Sequence, residues 1–402
     1  MSETAYLSPN ATLVTDTIST GNIAIQNDLL KNWLYLTPSP ANENAILAGF
    51  TRFANTYANY LGSLFWANPS RYQSISASSG LAAGNYGWTG GVVIPDGRAV
   101  YAPWNALYIG VYNPRTLTWT TYAHGWGNTG IEGAFLLPDG RVGFCPFGSA
   151  TPFIGFFNPI TNTTTSVNIT WTNGLSQGAV VVSNTLVVLA PSGSVTQIGL
   201  FNPTTNTLTT LASSPPPNSS SYHYTSPVLL PNGNIVFPPN GNDFIGVFNP
   251  TTQAFTTCSG NGWLTVNGGN FNGGVLLPDG RVFLSNTNRN FIGLYNYKTN
   301  SFTTLVTGYT GYRGSVLMPN GIVLQVPAAS GTTNIGIFNS FTNSYTTISG
   351  ASANHINGLI TPFGQALFSP FGPPGATQQL GIITGIPPVP IEYCIHPFFN
   401  KY

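Results

Sequence analysis

Residues Ile109–Thr121 read IGVYNPRTLTWTT, and the phrase returns along the chain. It is IGFFNPITNTTTS from Ile154, IGLFNPTTNTLTT from Ile198 and IGVFNPTTQAFTT from Ile245. It continues as IGLYNYKTNSFTT from Ile292 and IGIFNSFTNSYTT from Ile335, with a shortened copy, LGIITG, from Leu380. Successive phrase glycines (Gly110, Gly155, Gly199, Gly246, Gly293, Gly336, Gly381) stand 43 to 47 residues apart. Before each copy lies an apolar run, a turn and a second apolar run, as in GGVVIPDGRAVYAP, SPVLLPNGNIVFPP and GGVLLPDGRVFLSN. Pro-Asp-Gly and Pro-Asn-Gly between β-rich runs read as tight hairpin turns, and Asn-Pro-x-Thr-Asn as a second turn.

Each unit therefore holds four short strands, here lettered A to D in chain order. A period near 45 residues with four strands per unit marks a β-propeller blade. Seven copies predict an all-β, seven-bladed propeller of four-stranded antiparallel blades. The last copy lacks its second half, and FWANPSRYQSIS from Phe65 supplies a candidate for it, with Asn68-Pro69 set against the other Asn-Pro pairs. Residues 65–75 are thus expected to donate the outer strand of the last blade and pair edges that an open ring would expose. The propeller would span residues 65–384.

Residues 1–64 form a non-repeating arm. Ser39-Pro40 looks like a helix start, and Ile46, Leu47, Phe50, Phe53, Tyr57, Leu61 and Leu64 follow at spacings of three and four. This predicts an amphipathic helix over about residues 40–64. Its apolar face would pack on the propeller or dock another subunit. Residues 385–402, GIPPVPIEYCIHPFFNKY, are proline-rich and aromatic and are expected to be an extended tail, an assembly arm or a strap across the ring.

Composition narrows the function. Of 402 residues only 11 are basic and 10 acidic, a charged fraction of 5% against about 25% in ordinary domains. The net charge of +1 leaves no basic patch for nucleic acid. No apolar run approaches the length of a membrane span. The first twenty residues have neither the basic nor the apolar region of a secretory signal. Cys145, Cys258 and Cys394 are too few and too far apart for a disulfide framework or a metal-binding pair. So few carboxylates and histidines predict a fold that tolerates a wide pH range.

The A–B and C–D turns are short and repeated, and they share one face of the ring. The B–C and D–A loops share the other and vary in length and wording, so recognition is expected there. Near the channel mouth the register places Thr89, Glu132, Gln177, Thr225, Asn272, Arg313 and Ile356. Glu132 and Arg313 could face a ligand or each other. His124, His223 and His355 fall in D–A loops without a shared motif, and no metal site is expected. Trp126, Tyr222, Tyr224, Trp263, Phe271, Tyr309 and Tyr312 also lie there, as sugar- or protein-binding surfaces or as plugs between blades. No nucleophile elbow, HExxH, P-loop or close carboxylate pair is present, so neither catalytic residues nor a cofactor is expected.

In length and strand order the repeats resemble kelch-type propeller repeats over about residues 88–384. Gly90-Gly91 and Gly273-Gly274 precede their strand rather than follow it, so no kelch site residue is carried over. The whole chain, near-neutral and rich in Asn, Thr, Gly and Pro with non-repeating arms, is similar to virion surface components such as minor capsid, spike or fibre proteins. That resemblance implies a non-enzymatic part of a virion or other extracellular particle surface. Its arms would meet other structural proteins, and its variable face would meet a host receptor or glycan. The alternatives are an extracellular glycan-binding or glycan-acting propeller and a kelch-like interaction adaptor.

Overall fold

A computed structural model describes residues 32–61, 72–77, 87–127, 130–147, 153–171, 175–193, 195, 197–212, 224–242, 244–259, 269–328, 332–352, 354–372, 378–386 and 388–399. Seven antiparallel sheets, each ordered A-B-C-D, make the propeller. Blade 1 is Trp88–Val93, Ala99–Pro103, Tyr108–Asn113 and Thr118–Ala123. Blade 2 is Ile131–Leu136, Val142–Pro146, Phe153–Asn158 and Thr163–Asn168; blade 3 is Ala179–Ser183, Leu186–Leu189, Gln197–Asn202 and Thr207–Ala212. Blade 4 is Val228–Leu229, Ile235–Phe237, Phe244–Asn249 and Ala254–Ser259. Blade 5 is Gly269–Leu276, Arg281–Asn286, Phe291–Asn296 and Ser301–Val306, extended by a short strand, Asn240–Asn242, that crosses over from blade 4. Blade 6 is Tyr312–Leu317, Ile322–Pro327, Asn334–Asn339 and Ser344–Ser349. Blade 7 takes Gly358–Thr361, Gln365–Phe368 and Gln379–Ile383 from the C-terminal side, and its outer strand is Tyr72–Ser76.

That outer strand pairs antiparallel with Gln379–Ile383, from Tyr72 opposite Ile383 to Ser76 opposite Gln379. The ring therefore closes without a covalent link, as the truncated seventh copy predicted. Asn68-Pro69 and the rest of 65–71 lie outside the described residues. Inner strands pack against both neighbouring blades and are buried throughout, whereas outer strands such as Thr118–Ala123 alternate toward solvent.

The repeated phrase has a steric meaning. The glycine of each strand C lies under an aromatic ring that a Cβ would strike. An added Cβ would sit 2.2 Å from Trp119 at Gly110, 2.5 Å from Trp126 at Gly155 and 2.6 Å from Phe255 at Gly246. The C–D turns hold their last Asn, or Leu117 and Gln253 in its place, at φ of 48 to 56°, while the first Asn caps the turn, as Asn158 does for the Ile160 amide. In the A–B turns Asp96, Asp139 and Asp279 pair with Arg98, Arg141 and Arg281 two residues on. Arg98 also donates to Pro159 O of the next blade and Arg281 to Ser340 O. Much of the sparse charge is thus spent inside turns.

Both arms lie on the short-turn face. Helix α1 is Glu43–Leu61, entered through a turn in which Ser39 Oγ accepts the Asn42 amide. Its apolar face (Ile46, Leu47, Phe50, Phe53, Tyr57) is buried. Thr51 donates to Pro278 O in the A–B turn of blade 5, and Glu43 accepts from Tyr297 and pairs with Lys298 in the C–D turn of that blade. Leu64 lies outside the described residues.

The C-terminal segment departs from a wholly extended course by one short helix, α2, Ile391–Ile395. Proline-flanked and only five residues long, it owes its form to packing rather than propensity. Tyr393 stacks on Phe53 and on Phe399, and Trp33 stacks on Phe50 and Phe398. Val389 N donates to Pro362 O of blade 7, while Ile395 and Pro397 reach Phe135 and Val180 in blades 2 and 3. The segment straps the channel, and its rings with those of α1 join the main core of the ring.

Candidate functional site

The ring at the channel mouth starts from strand A. In blades 1, 2, 5 and 6 that strand has a β-bulge just after the ring residue, and Gly133, Gly273 and Gly314 take it with φ of 71 to 85°. A bulge re-aims the preceding side chain. With or without that bulge, ring residues reach the neighbouring blade. Thr89 Oγ1 donates to Ile131 O, Gln177 Nε2 donates to Glu132 Oε2 at 3.2 Å, and Thr225 Oγ1 donates to Phe271 O and accepts the Gly273 amide.

Glu132 is only 4% exposed and Asn272 7%, so most of the ring latches one blade to the next. Burial, and after it the Glu132 carboxylate, push the neighbouring Cys145 thiol up. Arg313 is half-buried and makes no side-chain hydrogen bond or ion pair with another described residue; it does not reach Glu132.

Below the ring a cavity of about 20 Å³ lies among Asn272, Ser315, Ile356 and Asn357 and is also lined by Phe399 of the C-terminal strap. That is room for one water, far below the volume of small-molecule pockets. Ser315 Oγ and Asn357 Nδ2 have no protein partner there, and a single water suits both.

His124 is buried, with Nε2 donating to Ala106 O and Nδ1 accepting the Trp126 amide, and its ring stacks on Trp126. Burial lowers its pKa. Tyr224 and Tyr312 are fully buried plugs. Tyr222, His223 and Trp263 lie outside the described residues. Among the described residues no three His, Cys, Asp or Glu gather as metal ligands, and no helix is long and apolar enough to cross a membrane.

His355 has different company. It is 1% exposed, Nδ1 donates to Ser369 O at 2.9 Å, and Nε2 faces Ser352 Oγ at 3.0 Å and Tyr72 OH at 3.1 Å. Tyr72 OH and Ser352 Oγ are 2.5 Å apart. Burial drives the His355 pKa down to about 4. Serine and histidine stand at the distance of a nucleophile and its base. The Tyr72 hydroxyl bonds to both, so the triangle ties the outer strand to the loop before strand A. Neither Ser352 nor Tyr72 is among the residues singled out from sequence. Tyr72 was detectable, because it occupies the outer-strand aromatic position held by Trp119, Phe255, Phe302 and Tyr345.

The described geometry defines a class, the seven-bladed β-propeller, and comparison with known proteins gives the same class. No family model matches the chain, and no curated protein matches it. Solved structures do. A streptogramin B lyase superposes with a TM-score of 0.64 at 15% identity, over 77% of this chain and 97% of that one. Virginiamycin B lyase from Staphylococcus aureus gives 0.62 at 15%, over 78% and 99%. The extracellular domain of a one-component system from B. thetaiotaomicron gives 0.58 at 13%, over 78% of this chain and 43% of that one. At these identities the likeness is one of fold.

Proposed function

We propose that this protein is a non-enzymatic recognition propeller on the surface of a virion or similar particle, serving as a minor capsid, spike or host-attachment component. One observation carries the reading: the two ends of the chain close one face of the ring with an aromatic core, so the loop-built face is the one left for partners. The ring residues latched between blades support a platform, and the sparse charge suits a dense surface array. Residues 1–31 and the outer side of α1 are where neighbouring structural proteins would attach. The kelch-like kinship rests on repeat length and four-strand order. Quantitative mass spectrometry of purified particles tests the reading. Co-purification at a fixed copy number is expected, and absence from particles overturns it.

A second reading is an extracellular glycan-binding propeller. Its support is the fold shared with extracellular sensor domains. A glycan array and a hydrolase panel with the full chain test it: selective binding supports it, and neither binding nor turnover removes it.

A further inference from the structure

We propose that blade 7 is held shut by a polar clasp, Tyr72–Ser352–His355, which releases the closing strand Tyr72–Ser76 in acid while blades 1 to 6 stay formed.

In blades 1, 4 and 5 the glycine of strand C is covered by two aromatic rings. One precedes the channel-ring residue, and the other lies two residues before the glycine's partner in strand D. The pairs are Trp88 with Trp119 at 4.9 Å, Tyr224 with Phe255 at 6.0 Å and Phe271 with Phe302 at 6.1 Å. Blade 6 sets Tyr312 beside Tyr345. In blade 7 the same two positions hold His355 and Tyr72, over Gly381. Blade 7, whose outer strand arrives from the far end of the chain, sets a histidine in the inner position and bonds it to the outer-strand tyrosine; blade 6 also links its pair, Tyr312 with Tyr345, through the hydroxyls, while blades 2 and 3 hold Ile131 with Thr164 and Ser176 with Leu208 there. Directional bonds fix register where a one-residue slip would turn every side chain to the wrong face.

The same exchange makes closure sensitive to protons. Closed, the imidazole is neutral, with Nδ1–H on Ser369 O and the Nε2 lone pair accepting from Ser352 or Tyr72. Tyr72 from strand D, the Ser369 carbonyl and Phe368 beside strand B, Gly381 from strand C and Ser352 from the preceding loop surround it. Tyr72 is the one titratable group among them, and none carries charge at neutral pH. A proton on the ring is therefore a buried, uncompensated charge, which strand release relieves by admitting water. With a closed-state pKa of about 4 and an ordinary value near 6.5 when open, the open form is roughly 20-fold more populated at pH 5 than at pH 7.

Hydrogen exchange by mass spectrometry on the full chain, corrected for intrinsic rates, reads this at pH 7, 6 and 5. Protection of Tyr72–Ser76 is expected to fall by roughly 20-fold across that range, with Tyr108–Asn113 and Phe291–Asn296 unchanged. His355→Phe restores the aromatic pairing of blades 1, 4 and 5 and is expected to abolish the step. Uniform loss across blades, or an unchanged step in His355→Phe, overturns the clasp. Should that variant not fold, NMR titration of the His355 ring in the native chain decides. A midpoint near 4 in the closed state supports the clasp, and an ordinary histidine midpoint near 6.5 overturns it.

Discussion

The two faces of the ring are built from the same strands and behave as opposites. On the short-turn face most blades repeat their turns closely, with Pro-Asp-Gly or Pro-Asn-Gly in the A–B turns of blades 1, 2, 4, 5 and 6, and that regularity gives α1 and the C-terminal strap a level floor. Glu43, Thr51 and Val389 all bond to turn atoms there. On the loop face no two D–A loops agree in wording. There Trp126 covers Gly155 of blade 2 and Tyr224 covers Gly246 of blade 4. Repetition on one side frees the other to vary, because the hydrogen-bonded ladder and the turns already fix each blade.

If this contrast is right, stability concentrates where the arms meet. Phe398→Ala, where the arms join the core, is expected to cost about 3–5 kcal/mol in denaturant unfolding. Tyr309→Ala on the loop face, 41% exposed, should stay within about 0.5 kcal/mol. Equal costs would break the comparison.

Acid is the next largest effect. His355 and His396 are buried neutral, with pKa values lowered to about 4 and about 3. The unfolded chain binds those protons first, so their contribution is whole above pH 6.5 and is lost as pH falls toward the folded values. His355 alone accounts for about 3 kcal/mol between pH 6.5 and 4. Melting curves across that range should therefore show stability falling with pH, which revises the wide tolerance expected from composition. Mean composition dilutes four histidines, whereas burial of three of them concentrates their effect.

Gly155→Ala, which drives a methyl against Trp126, should cost about 1–3 kcal/mol by thermal unfolding. An unaltered melting temperature would mean that the ring yields easily, and that the phrase's glycine is not there to admit it. The smallest effect is a gain. Leu117 sits at φ 56° where most copies have Asn, and Leu117→Asn should add about 0.5–1 kcal/mol. No gain would mean that the turn tolerates any residue in that conformation.

The propeller was legible because its signal is repeated and local: a phrase, a turn and a period. The shared ring, Thr89 through Ile356, was legible as a register. Its burial was not, because burial depends on the next blade. The α2 turn was hidden by Pro387, Pro388, Pro390 and Pro397, which read as extended chain until Phe53 and Trp33 are placed beside it. His355 carried a usable signal that a loop-by-loop reading passes over. It stands in a column with Trp88, Tyr224, Phe271 and Tyr312, and only alignment of the copies shows a histidine among aromatics. Tyr222, His223 and Trp263 sit in stretches without a repeated frame, so their wording gives no role to read.

The split last blade also sets a schedule. On the ribosome, Tyr72–Ser76 emerges about 300 residues before Gln379–Ile383, the edge it must meet. At 5–20 residues per second that is roughly 15–60 s of synthesis. For that interval the first strand of the propeller is an unpaired edge in a crowded cell, while six blades stack beside it. The molecule's most exposed moment therefore comes during its manufacture, and a helper that shields the nascent edge would act on this one segment.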